Sequence, residues 1–155
     1  MSASSAIGLG AISGLRSLSG PAFISRAASR GHLDLEGTPF ALLGSSRLSK
    51  TLILMELGEF VGDKLPMTPS RTSLPPLLAR AVSGAVVGAA VFVSGGRRAA
   101  TGAVLGSSSA IVAAFAGERL RALVVEKTEL PDPVVALAGD ATVLLVGHRS
   151  LRNIR

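Results

Sequence analysis

The 155-residue chain is 48% hydrophobic but only 17% charged, and its mean hydropathy is +0.51. A soluble domain usually carries about 25% charged residues, so this composition favours a membrane protein. The absence of cysteine excludes disulfides, thiolate metal ligands and a cysteine nucleophile. The net charge of +6 comes mostly from scattered arginines without interleaved aromatics, so we expect no nucleic-acid partner.

Residues 4–28 are predicted to form a first membrane helix with Arg16 near its middle. Gly10 and Gly14 form a GxxxG pair, which lets a second helix approach closely. Gly20-Pro21 predicts a kink or a break. The alternative is an organellar transit peptide, because the segment is rich in serine and arginine and has no acidic residue.

A second helix is predicted over residues 45–64, and it contains Glu56, Glu59 and Asp63. On a helix these three acids fall within an arc of about 60°, so they form one acidic stripe. Twenty residues make a helix about 30 Å long, which is enough to span a bilayer. Carboxylates in hydrocarbon need a partner, a water-filled cavity or a function. The alternative is a helix partly buried against its neighbours or lying at the membrane interface.

Three more helices are predicted, over residues 77–95, 99–117 with an extension to 130, and 133–150. The range 99–117 is nineteen residues without a charge, which meets the usual length for a span. Asp140 lies at the centre of the last helix. The small residues expected to pack these helices together are Gly10, Gly14, Gly84, Gly88, Gly102 and Gly106.

The predicted fold is therefore an all-α, polytopic membrane helix bundle of about five transmembrane helices in a single domain, residues 1–155. Five crossings place the two termini on opposite sides, with nine Lys and Arg residues on the C-terminal side and six on the other. The positive-inside rule then predicts a cytoplasmic C-terminus and an external N-terminus. We expect the bacterial inner (cell) membrane as the location and the lipid bilayer as a partner.

Arg16, Glu56 and Asp140 fall near the midpoints of three predicted helices, so we expect them to form a buried polar cluster. Such a cluster can bind a cation or relay protons, since ionisable residues within membranes tend to mark pathways. Alternatively, Arg16 only neutralises an acid and fixes the helix register. Glu59 and Asp63 lie nearer the helix end. They either attract cations to the entrance of the pathway or form a solvated helix terminus.

The sequence shows no nucleophile motif, no phosphate-cradling loop and no metal-ligand spacing. Its two histidines, His32 and His148, lie far apart in the chain. Ser107 to Ser109 are interpreted as small packing residues rather than as a polar path. We therefore expect no enzymatic activity, no metal and no cofactor.

Several of these segments resemble one bacterial integral-membrane family, catalogued as domain of unknown function 4126. The resemblance is carried by Gly14-Leu15-Arg16, by Gly62-Asp63-Lys64-Leu65-Pro66 after an acidic helix, and by the later glycine-rich helix pair. It covers residues 6–150. The family has Arg-Pro before the glycines of the third helix, whereas here Ala81 follows Arg80. The resemblance implies a multi-helix membrane protein and adds no activity.

From these observations we expect a bundle that conducts or transports a small cation or a proton past its intramembrane acids. The alternative is a non-catalytic structural or accessory subunit of a membrane complex. The small-residue stripes also predict a homo-oligomer or a complex subunit, with at least one GxxxG face meeting another chain.

Overall fold

The structure is a computed structural model that describes residues 3–62 and 72–128, with positions 134, 135, 139, 141, 143, 145 and 147. Every regular element in this described part of the chain is helical, which confirms the all-α prediction. The elements are α1 (Ala3–Leu15), α2 (Ser19–Ser29), a 3-10 turn (Ala41–Gly44), α3 (Ser46–Gly62), α4 (Leu74–Ser94) and α5 (Ala99–Thr128). The predicted helix over 133–150 lies mostly outside the described residues.

The sequence predicts one membrane helix over residues 4–28 with a kink or a break at Gly20-Pro21. The structure has two helices in this range, and the break lies just before that pair. Helix α1 ends at Leu15 and α2 begins at Ser19, with a short non-helical turn between them. Pro21 has no N–H group and would interrupt a continuous helix at this point. It is accommodated in the first turn of α2, where backbone N–H groups have no partner within the helix.

The chain also reverses direction at this turn. A Cβ atom added at Gly20 would lie 3.1 Å from the carbonyl oxygen of Leu9. In a continuous helix these two residues would be about 16 Å apart along the axis. Helix α2 therefore packs back against α1, and the two helices form a hairpin with Arg16 at its tip.

Helices α1, α4 and α5 pack on one another through their glycines. A Cβ atom at any of the six glycines predicted to pack helices would overlap the backbone of a facing helix. Gly10 faces Gly106 of α5, and Gly88 faces Gly102. The three GxxxG pairs therefore meet within one chain, and none of them is left for the subunit contact expected from the sequence.

Two of the described helices, α4 and α5, are long and apolar enough to cross a membrane, judged by length and composition. Helix α4 has 21 residues and starts before the predicted residue 77, because Pro75 and Pro76 fit its first turn. Helix α5 continues without a break for 30 residues. Large apolar side chains on both helices point outwards, including Val82, which is 62% exposed, and Val112, which is 67% exposed.

Helix α3 lies at the edge of the bundle and packs against α2 and the 3-10 turn. The loop before it is fixed by Ser25 of α2, whose hydroxyl donates a hydrogen bond to the Leu43 carbonyl at 2.7 Å. Leu33 and Leu35 of this loop are buried in the same core as Phe92 of α4. The loop thus holds α3 beside α2, and α3 runs from the end of α2 towards the hairpin tip.

Two matched glycine-to-alanine substitutions test the helix packing. Gly88→Ala places a methyl group against the backbone of Gly102, so the helices must separate, and we expect a loss of about 1–3 kcal/mol in the free energy of unfolding. Gly58→Ala in α3 enters open space and should be neutral or stabilising by up to about 1 kcal/mol. Denaturant unfolding in detergent measures both, and equal effects would contradict the packing described above.

Candidate functional site at the tip of the α1–α2 hairpin

Two backbone N–H groups at the hairpin tip have no hydrogen-bond acceptor within α1 or α2, and they donate to Glu59 of α3 instead. Its Oε1 accepts hydrogen bonds from the Ser17 amide at 3.0 Å and from the Ser17 hydroxyl at 2.7 Å. Its Oε2 accepts one from the Leu18 amide at 3.0 Å. Glu59 therefore caps the N-terminus of α2 from a different helix, where the helix dipole also favours a negative charge.

Glu56 lies one turn before Glu59 on the same face of α3. Its Oε1 accepts a hydrogen bond of 2.5 Å from the hydroxyl of Ser19, the first residue of α2. Ser19 is fully buried and Glu56 is 9% exposed. A short O–H···O⁻ bond of this kind is among the stronger hydrogen bonds in proteins.

Arg16 at the hairpin tip is 1% exposed and is among the largest fully buried side chains of the described residues. It directly precedes Ser17, whose amide and hydroxyl bind Glu59, and it lies three residues before Ser19, which binds Glu56. The structure thus brings together three of the predicted site residues, Arg16, Glu56 and Glu59. The other two, Asp63 and Asp140, lie outside the described residues.

Helix α4 contributes two residues that the sequence analysis did not single out. The Ser83 hydroxyl donates a hydrogen bond of 2.5 Å to the Ser17 carbonyl, so α4 holds the hairpin tip from the opposite side. One turn earlier on α4, Arg80 is 4% exposed. Arg80 could have been recognised from the sequence in the same way as Arg16, because each is a single charge in an otherwise apolar helical stretch.

The hydrogen-bond partners give the two carboxylates different chemistry. Two donors to Glu59 are backbone N–H groups, which can donate but cannot accept. The partner of Glu56 is a hydroxyl, which can rotate and accept a proton from a neutral carboxyl. Glu56 can therefore exchange a proton while it keeps its hydrogen bond to Ser19, whereas protonation of Glu59 would weaken the cap on α2. Within the described residues, no three His, Asp or Glu side chains lie together as a metal site.

These features define an all-α helical bundle in which two helices have the length of membrane spans and a hairpin tip is held by two carboxylates of α3. The family described as Domain of unknown function (DUF4126) matches residues 3–151, and the chain belongs to it. The matched range contains all five predicted site residues. Comparisons with curated proteins and with solved structures gave no match.

Removal of the Glu59 cap should destabilise the fold. Glu59→Ala leaves the Ser17 and Leu18 amides without their acceptor, and we expect the free energy of unfolding to fall by about 2–3 kcal/mol. Glu59→Gln keeps one acceptor oxygen, so its free energy of unfolding should fall by less than that of Glu59→Ala. The control is Glu36→Ala, because Glu36 is exposed and its removal should change stability by less than about 0.5 kcal/mol. Equal stability of Glu59→Ala and the control would rule out the cap.

Proposed function

We propose that this protein is an integral membrane bundle that moves protons or a small cation through the polar cluster at the hairpin tip. In this proposal Glu56 is the acid that exchanges the proton or contacts the cation. The observation that carries it is the short hydrogen bond between the buried Glu56 carboxylate and the Ser19 hydroxyl, at a break between helices. The bacterial inner membrane remains our proposed location.

The outward surfaces of α4 and α5 support a membrane environment. Val82, Val104 and Val112 are each more than 60% exposed, and they belong to apolar faces that would be unfavourable in water. A bilayer accommodates such faces, and it also requires backbone groups to be satisfied inside the protein. The Glu59 cap and the Ser83 hydrogen bond satisfy backbone groups of this kind at the turn between α1 and α2.

The depth of the cluster supports a role in transport. Ser83, which binds the hairpin tip, lies at the middle of the 21-residue helix α4. If α4 spans the bilayer, the tip therefore lies near the midplane. Helices interrupted at this depth commonly line the substrate or ion sites of transporters, because non-helical backbone is tolerated there only when buried or next to water.

A second candidate function is a non-catalytic structural or accessory role in a membrane complex. The saturation of the Glu59 carboxylate by three donors favours it, because such a carboxylate is already committed to holding the backbone. In this case Glu56 and Arg16 would only balance charge at the tip. A homo-oligomer or a complex would then use the outward face of α5, since the glycine pairs are occupied within the chain.

Proton flux into liposomes separates the two functions. Purified protein is reconstituted with a trapped pH-sensitive dye, and flux is driven by a potassium-diffusion potential. We expect Glu56→Gln to reduce flux at least tenfold while the protein stays folded, because the amide cannot carry the proton. Glu36→Gln on the exposed loop should retain full flux.

The same assay with a sodium or potassium gradient tests the small-cation form of the proposal. Unchanged proton and cation flux in Glu56→Gln would reject the role of this acid. Wild-type flux no greater than that of protein-free liposomes, together with loss of stability in Glu56→Gln, would favour the structural role.

A further inference from the structure

One end of the bundle carries six exposed cationic side chains. They come from the end of α2, the start of α3 and the turn between α4 and α5: Arg26, Arg30, Arg47, Lys50, Arg97 and Arg98. Two exposed carboxylates, Asp34 and Glu36, lie in the loop at this end. At the opposite end, the last turns of α5 mix both signs in nearly equal number: Glu118, Arg119, Arg121, Glu126 and Lys127. Among the residues that the structure describes, the exposed cationic side chains are therefore concentrated at one end.

The helix contacts place these segments at the same end. Helix α1 runs parallel to α5, because Gly10 faces Gly106 and Gly14 faces Ala110. The start of α1 therefore lies near the start of α5, beside Arg98. Helix α4 runs antiparallel to α5, so its last turn lies at this end too.

The hairpin returns α2 to this same end. Ile24 of α2 belongs to one buried core with Ala6 of α1 and Phe92 of α4, and Leu33 and Leu35 from the following loop join it. Helix α3 begins after this loop and runs to the hairpin tip, where its carboxylates bind. The end of α2 and the start of α3 are therefore level with the turn between α4 and α5.

The turn between α4 and α5 places Arg97 against the last aromatic ring of α4. Gly96 has a φ of +67°, which reverses the chain directly after α4. The Arg97 guanidinium lies 4.2 Å from the centre of the Phe92 ring, within the range of a cation–π contact. Arginine also carries a planar fork of N–H donors whose geometry matches a phosphate group.

We propose that this end binds the anionic phospholipid headgroups of one leaflet, and that α1 and α2 enter and leave the membrane from that leaflet as a re-entrant hairpin. The proposal rests on the membrane environment proposed above but not on ion movement. Clustered lysines and arginines beside a membrane helix are attracted to anionic headgroups. The N-terminus then lies on the same side as residue 32, whereas the five-span prediction places them on opposite sides.

Single-cysteine labelling tests the hairpin, and the chain has no cysteine of its own. Ser4→Cys and His32→Cys mark the two ends of the hairpin, Ala122→Cys marks the opposite end, and Val112→Cys marks the outward face of α5. An impermeant maleimide is applied to spheroplasts and to inverted membrane vesicles. We expect Ser4→Cys and His32→Cys to react in the same preparation, Ala122→Cys to react in the other, and Val112→Cys to react only after detergent is added.

The possible failures are distinct. Labelling of Ser4→Cys and His32→Cys in opposite preparations would overturn the hairpin and restore a crossing helix. Reaction of Val112→Cys in both preparations without detergent would instead overturn the membrane environment itself.

Native mass spectrometry tests the headgroup site, with the protein released from nanodiscs containing phosphatidylglycerol and phosphatidylcholine in equal amounts. We expect the wild type to retain phosphatidylglycerol preferentially. The combined variant Arg30→Gln, Arg97→Gln and Arg98→Gln should lower this retention at least tenfold. The matched control at the opposite end, Arg119→Gln, Arg121→Gln and Lys127→Gln, should change it less than twofold.

Equal loss of lipid in both combined variants would overturn the headgroup site. Displacement of phosphatidylglycerol by inorganic phosphate at millimolar concentration would also overturn it, because it would indicate a site for free phosphate rather than for lipid.

Discussion

The hydrogen bonds of Glu59 to the hairpin tip are the interaction on which the rest of the structure depends. The chain can reverse between α1 and α2 only if the backbone N–H groups released there find an acceptor away from water. Glu59 supplies both of its oxygens to three donors at 2.7–3.0 Å. The same side chain attaches α3, which has no direct packing against α1, α4 or α5 within the described helices. The carboxylate of Glu59 thus caps helix α2 and also positions helix α3.

The glycine contacts impose the second constraint, because they leave little freedom in how α1, α4 and α5 meet. Backbones that approach this closely cannot slide without a collision, so Ser83 is held at a fixed depth against the Ser17 carbonyl. The hairpin tip is therefore fixed from two sides, by a hydroxyl on α4 and by carboxylates on α3. This rigidity places Ser19 within 2.5 Å of Glu56, which is the contact that the proposed function uses.

The sequence predicted the helical class well, because uninterrupted apolar runs and helical spacing are local properties. The spacing of Glu56 and Glu59 placed both acids on one face, and both meet the hairpin tip. The reversal after Leu15 was missed, because hydropathy is the same for a helix that continues and for one that turns back. Pro21 marked the position of the break but not the change in direction. Serine hydroxyls gave no usable signal, because serine is also a common packing residue in a chain rich in glycine and alanine.

The most direct test of the central interaction is amide hydrogen exchange at Ser17 and Leu18, measured in lipid nanodiscs. Both amides should exchange slowly in the wild type, because Glu59 accepts a hydrogen bond from each. Glu59→Ala should accelerate exchange at both amides by about 10–100-fold, the factor expected for a lost hydrogen bond to a charged group, while amides in the middle of α4 stay protected. Fast exchange at both amides in the wild type, or protection that is unchanged in Glu59→Ala, would contradict the role of Glu59.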